Sequence, residues 1–175
     1  MKGLLFCKEM REAIRAGRKS QTRRLTNPQP VGRDRIISYM GGFQIGCMRD
    51  SENAWRDIKP RYRQGETVYV KEPWGIHPTI PGPIYYKDIG SSVIDKWKSP
   101  LFMPQWAARD FLKIESVRAE RLQEITEEDA KAEGVQYPAG ECLAGYAILW
   151  DSINPDHPWA SNPWIFRYQF SKVTP

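Results

Sequence analysis

The sequence predicts one small α+β domain, a mixed β-barrel with short flanking helices and long loop inserts. Short segments with the alternating apolar pattern of strands are interrupted by short segments with helical spacing, an order typical of small mixed barrels. The chain has 175 residues, 41% of them hydrophobic and 27% charged. This length and composition suit a single globular domain, residues 1–175, with a core of its own.

The first half of the chain contains one predicted helix and one clear strand. Apolar residues of segment 8–16 share one helical face, and Gly17 suits the left-handed residue that ends a helix. Residues 67–72 begin with four β-branched or aromatic residues, Thr67 to Val70, which is typical of a strand. Between them we expect a loop over 26–35 and a hairpin near 41–45, where two glycines precede an apolar run.

The second half begins with an irregular segment and then alternates strands with helices. Residues 73–104 hold six prolines, which predicts a long insert with one strand near 84–87. The elements expected after it are a strand over 110–117, a helix from a capping box at 126 to 134, a helix over 141–152 and a strand over 164–170.

The number of cysteines and histidines and the length of the apolar runs exclude several classes of protein. The three cysteines are distant and odd in number, so we expect no disulfide framework and a reducing, cytoplasmic location. No apolar run approaches the roughly 18 residues of a membrane span, so no membrane partner is expected. Two histidines, each followed by proline, argue against a metal site or a Ser-His-Asp triad, and no cofactor is expected.

Positive charge is concentrated near the N-terminus. Residues 1–40 hold ten Lys or Arg and three acids, a net charge of +7, whereas residues 110–134 hold four bases and eight acids, a net charge of −4. A clustered basic segment is the usual mark of a phosphate-bearing partner. A solvated helix face explains the same charge equally well.

The most distinctive segment follows the first predicted helix. Its candidate binding residues are Arg18, Lys19, Ser20, Thr22, Arg23 and Arg24. Hydroxyls and cations so close together can hold an anion or a polar ring. A lysine whose pKa is lowered by burial can also act as a base toward Thr22 or a water molecule. The alternative is a cationic loop in solvent.

A second group of candidates flanks the next strands. It comprises Lys71, Glu72, Trp74, Trp106 and Arg109. Glu72 ends a strand, where it can face a pocket and orient Lys19 or an arginine, although an ordinary structural ion pair is the alternative. Trp106 and Arg109 can stack on a base, whereas core packing is the alternative role of Trp106.

Several motifs together resemble one family. The pattern Gly17-x-Lys19-Ser20-x-Thr22-x-Arg24 resembles the signature of ASCH domains, which are PUA-like barrels related to RNA-binding modules. Further segments are similar to the phage and prophage branch of that family, namely 65–74, 103–109, 120–130, 149–153 and 162–164. These motifs cover nearly the whole chain, and relative to the family residues 26–60 and 73–104 are inserts.

The resemblance implies binding of RNA, another nucleic acid or a nucleotide-like ligand, and it leaves the oligomeric state open. Some members hydrolyse acetylated cytidine with a Lys, a Thr and a Glu, and one branch cleaves RNA, so ribonuclease or nucleoside amidohydrolase activity is the alternative. Lys19 and Thr22 match the first two by motif. The glutamate would fall near Glu141, and Glu72 is the alternative third catalytic residue.

Overall fold

The computed structural model describes residues 1–31, 34–39, 41–46, 55–94, 96–138 and 140–174. Over these residues the chain is a mixed α+β protein in which sheet predominates. The strands are β1 (Lys2–Leu5), β2 (Gln21–Leu25), β3 (Arg35–Tyr39), β4 (Gly42–Gly46), β5 (Arg56–Ile58), β6 (Thr67–Lys71), β7 (Trp74–Ile76), β8 (Ile84–Tyr86), β9 (Phe111–Arg121) and β10 (Trp164–Val173). The helices are α1 (Lys8–Arg15), α2 (Glu127–Ala132) and α3 (Cys142–Ile153).

Five strands form the central sheet in the order β1-β6-β9-β10-β2. β1 runs parallel to β6 and every other pair in this sheet is antiparallel. Within the described residues β1 and β2 each have one bonded neighbour, so the sheet is open and does not close into the predicted barrel. Two smaller antiparallel sheets, β3-β4-β5 and β7-β8, account for the remaining strands.

The main core lies between the central sheet and the three-stranded sheet. Ile36, Ile45 and Ile58 of the smaller sheet are buried in the same cluster as apolar residues of β1, β6, β9 and β10. The ring of Phe43 meets the ring of Phe166 edge-on at 5.0 Å. The predicted hairpin near 41–45 is therefore confirmed as β3–β4, and it covers one face of the central sheet.

A second core lies under α2 and α3. Leu122, Ile165, Tyr146 and Trp150 are buried there. The predicted capping box is confirmed, because the Thr126 hydroxyl accepts from the backbone N–H of Asp129 at 3.1 Å and so starts α2. The two helices thereby lie beside β2 and β10, close to the segment that follows α1.

The long insert over 73–104 contains a short hairpin and a 3-10 turn. It contains the expected strand at 84–86, which pairs with 74–76, and it ends in a 3-10 turn over 100–102. Cys7 and Cys142 are free thiols, and Cys47 lies outside the described residues. Among the described helices none has the length and apolar character needed to cross a membrane.

Candidate functional site

The turn after α1 carries Lys19 into the protein. Gly17 takes a positive φ of 72°, the left-handed conformation that glycine adopts freely, and so ends the helix as predicted. Lys19 is then only 4% exposed. Its Nζ donates to the backbone oxygen of Glu133 at 2.7 Å and to the Glu133 carboxylate at 2.8 Å. The cationic segment is therefore partly buried and not wholly a solvated loop.

The end of α2 reaches Lys19 because a glycine follows it. Gly134 has a φ of 88°, and a Cβ there would lie 3.1 Å from the Cβ of Lys19 and 3.0 Å from the Cβ of Ala13. A larger residue would push the two segments apart. The Ser20 backbone N–H also donates to the Ala132 oxygen at 2.9 Å, which fixes this approach.

Arg23 completes a buried network of charges around Glu133. Its side chain is fully buried and donates to Glu133 at 3.1 Å, to Glu120 at 3.0 Å and to Asp129 at 2.9 Å. Glu133 is thus held between two cations, Lys19 and Arg23. Because charges buried in this way are costly unless they are paired, the network fixes the geometry of all its members.

A cavity of about 250 Å³ opens above these charges. Lys19, Thr22, Arg23 and Glu133 line its polar side. The apolar and aromatic lining is contributed chiefly by Leu5, Phe6, Met10, Tyr146, Leu149 and Trp150. We call this cavity the lysine pocket.

Two hydroxyls of the lysine pocket are free to bind a ligand. Thr22 is buried, and its hydroxyl makes no hydrogen bond to any described residue. The same holds for Tyr146 within the described part of the chain. Burial raises the pKa of Tyr146 well above its ordinary value, so this hydroxyl keeps its proton and can donate it in a hydrogen bond.

Burial also changes the chemistry of Lys19. Removal of the ammonium group from water lowers the pKa of Lys19, and the nearby Arg24 acts in the same direction, whereas Glu133 opposes the shift. A lysine with a lowered pKa is more readily deprotonated and can then accept a proton. The pocket therefore combines a potential base, a free hydroxyl and a carboxylate.

The structure brings some of the predicted residues together and separates others. Lys19, Thr22, Arg23 and Arg24 line the lysine pocket. Ser20 is exposed beside it, and Arg18 is exposed and lines a different, shallow concavity.

Glu72 does not meet Lys19. It is fully buried and accepts from Arg15 and Arg109 at 2.7–2.8 Å. Arg15 also bridges to Asp110 and Asp88, so Glu72 belongs to a separate network of ion pairs, the alternative that the sequence had left open.

Glu141 is exposed at the start of α3 and does not line the pocket. The carboxylate that meets Lys19 is instead Glu133, which the sequence analysis had not singled out. Its only local signal is its position at the end of a helix directly before Gly134.

The remaining candidates lie near β6 and β7. Lys71 donates to the backbone oxygen of Leu101 at 2.7 Å. Trp74 is buried, and its ring meets Trp106 edge-on at 5.5 Å. Trp106 is 64% exposed, so it is a surface residue and not part of the core. Arg109 lies over the Tyr86 ring at 4.1 Å, and none of these residues lines the lysine pocket.

Among the described residues, no group of three or more His, Cys, Asp or Glu is placed to hold a metal ion. Comparison of the chain with models of protein families, with curated proteins and with solved structures gives no match.

Proposed function

We propose that this chain is an ASCH-type, PUA-like protein of the phage and prophage kind, and that its lysine pocket binds a base of RNA or of a modified nucleotide. One observation supports this proposal above the others: Lys19 and Thr22, which the family-like motif singles out, line one cavity together with Glu133. A cavity that joins an apolar wall to a few polar groups is the usual form of a ligand site.

The size and lining of the pocket favour a base as the ligand. Its volume of about 250 Å³ is just below the range of about 300–1,000 Å³ that is common for drug-sized ligands. Phe6, Tyr146 and Trp150 can pack against a flat ring. The free hydroxyls of Thr22 and Tyr146 can bond to the polar edge of that ring, which is how proteins read unpaired bases.

A calorimetric titration with base-acetylated cytidine monophosphate tests this proposal. Thr22→Val keeps the shape of the side chain and removes the hydroxyl, so we expect affinity to fall about tenfold, equivalent to about 1.4 kcal/mol. Thr67→Val is the matched control, because Thr67 also lies on a strand of the central sheet but outside the pocket. Absence of saturable binding by the unaltered protein, or equal affinity of both variants, would contradict base binding in this pocket.

A second candidate function is hydrolysis of an acylated nucleoside or of RNA. The Lys19 Nζ has three hydrogen-bonding positions, and two of them donate to Glu133. In the neutral amine the third position is a lone pair, which can accept the proton of the Thr22 hydroxyl or of a water molecule. The presence of Lys19 and Thr22 in one cavity is the observation that supports hydrolysis as the second candidate.

For an acetylated base the reaction would proceed in two balanced steps. Lys19 accepts the Thr22 proton while the Thr22 oxygen bonds to the acetyl carbon, and the C–N bond then breaks as Lys19 returns the proton to the leaving amine. Water next gives its proton to Lys19 and attacks the acetyl-threonine ester. Acetic acid leaves and releases its proton to solvent as acetate, and Thr22 recovers its proton from Lys19.

Release of acetate from acetylcytidine separates the two functions. Lys19→Met retains the length and apolar stem of the side chain, and we expect it to abolish turnover. Lys131→Met is the control, because Lys131 is exposed on α2. Turnover by Lys19→Met at the original rate would dismiss the proposed base. If the unaltered protein binds acetylcytidine tightly and releases no acetate, hydrolysis is excluded and only the binding function remains.

A further inference from the structure

A second and larger cavity adjoins the lysine pocket. Its volume is about 480 Å³, and β1, the segment around Lys59 and Arg61, and β10 supply its walls. Leu5, Arg24 and Leu25 line both cavities. These three shared residues form a ridge, and the two cavities lie on either side of it. We call the second one the arginine cavity.

The cations of the arginine cavity have no acidic partners in the described part of the chain. Arg24, Lys59 and Arg61 line it, and none of the three forms an ion pair with a described carboxylate. The buried Arg11 and Arg23 are instead paired, with Asp88 and Glu133. Lys59 and Arg61 are exposed, and Arg24 is half-buried. No Asp or Glu is among the described residues that line the cavity.

An aromatic ring and two hydrogen bonds position the segment that carries Arg61. The Arg61 guanidinium lies 5.7 Å from the centre of the Tyr62 ring, and the Arg61 backbone N–H donates to the Tyr168 hydroxyl at 3.1 Å. Tyr62 in turn donates to the backbone oxygen of Gly3 at 3.0 Å. The position of Arg61 is thereby tied to both β1 and β10.

Arg24 stands on the ridge between the two cavities. Its Nη2 donates to the Leu5 backbone oxygen at 2.6 Å. Its Nε is buried and finds no partner among the described residues. A buried donor without a partner is costly.

We propose that the arginine cavity binds the phosphate of a nucleotide whose base occupies the lysine pocket. Three cations that have no carboxylate partner among the described residues attract an anion to this concavity. Arginine is well suited to phosphate because its planar guanidinium donates two parallel hydrogen bonds. The ribose then lies across the ridge at Leu5 and Arg24. The preferred ligand is therefore a nucleotide or a phosphodiester strand and not a free nucleoside, an inference that rests on the proposed function.

The test is to compare the binding of acetylcytidine with that of its monophosphate. In the unaltered protein we expect the monophosphate to bind at least about tenfold more tightly, equivalent to about 1.4 kcal/mol. The double variant Lys59→Ala/Arg61→Ala changes two exposed side chains. It should lose this advantage and keep its affinity for the nucleoside within about twofold. Arg63→Ala is the matched control, because Arg63 is exposed, lies two residues further along and does not line the cavity.

Three outcomes distinguish the two proposals. If the double variant loses the tighter binding of the monophosphate and Arg63→Ala keeps it, the result supports the arginine cavity as the phosphate site. Equal affinity for nucleoside and monophosphate, or an advantage that the double variant keeps, overturns this inference and leaves base binding intact. If neither compound binds, base binding itself fails, and the inference fails with it. A salt titration adds a check, because phosphate contacts weaken steeply as salt rises, and a short RNA shows whether a strand occupies the same cavity.

Discussion

Replacement of Glu133 by glutamine is the most informative change to the buried charges of the lysine pocket. Glu133→Gln keeps the shape of the side chain and removes the negative charge that faces both Lys19 and Arg23. Arg23 retains Glu120 and Asp129 as partners. Lys19 loses its carboxylate partner and keeps only neutral contacts, namely the backbone oxygen of residue 133, the new amide oxygen and the Phe6 ring. The ammonium of Lys19 thereby becomes a buried charge without a described carboxylate beside it.

The expected loss follows from that change. Breaking a buried ion pair by removal of one partner costs about 3–5 kcal/mol. Because Arg23 keeps two carboxylates, we expect the lower end, about 3 kcal/mol of unfolding free energy at neutral pH. Burial already lowers the pKa of Lys19, and Glu133 opposes that shift, so the variant lowers it further. In the unfolded chain Lys19 keeps its ordinary pKa, so the folded variant gains stability as pH rises toward about 10.4.

Urea denaturation at pH 7 and again about two pH units higher measures both effects. The loss caused by Glu133→Gln should be smaller at the higher pH. Glu128→Gln is the control, since Glu128 is an exposed residue of the same helix, and its replacement should cost less than about 1 kcal/mol at either pH. Equal losses in the two variants at neutral pH would refute the buried Lys19–Glu133 pair.

Three further predictions concern the separate Glu72 network, the pKa of Lys19 and the Tyr146 hydroxyl. Glu72→Gln leaves Arg15 and Arg109 without their shared buried carboxylate, so urea denaturation should show a loss of about 3–5 kcal/mol, with acetylcytidine affinity unchanged in the folded protein. If the chain is a hydrolase, its initial rate should rise with pH and level off below about 10.4, which is the ordinary pKa of lysine. The reason is that burial lowers the pKa of Lys19. A rate that falls over this range would exclude Lys19 as the base. Tyr146→Phe removes a hydroxyl with no partner among the described residues, so thermal unfolding should change by less than about 0.5 kcal/mol while calorimetry shows weaker nucleotide binding.

Local sequence patterns were sufficient for several elements of the fold. The helix that Gly17 ends, the strand at Thr67–Lys71 and the helix that Thr126 caps all appear as expected. In each case the signal lies within a few neighbouring residues. β1 went unpredicted because it has only four residues, and it is held by parallel pairing with β6, more than sixty residues away.

Prediction from the sequence fails most clearly for the closure of the barrel and for the composition of the candidate site. Alternating patterns identify strands, but they do not determine whether the edges β1 and β2 meet, and in the described residues they do not. Lys19 and Thr22 were accessible from a local motif. Glu133 lies 114 residues from Lys19 along the chain, and only the folded approach of Gly134 brings the two together. Glu72 could be recognised as a strand-end carboxylate suited to an ion pair, but the identity of its partners, Arg15 and Arg109, could not.

A crystal structure of the protein with acetylcytidine monophosphate tests the central claim most directly. We predict that the base lies in the lysine pocket, within hydrogen-bond distance of the Thr22 hydroxyl, with its phosphate toward Arg61. A base bound elsewhere, for example stacked on the exposed Trp106, with the lysine pocket empty, would contradict the proposal.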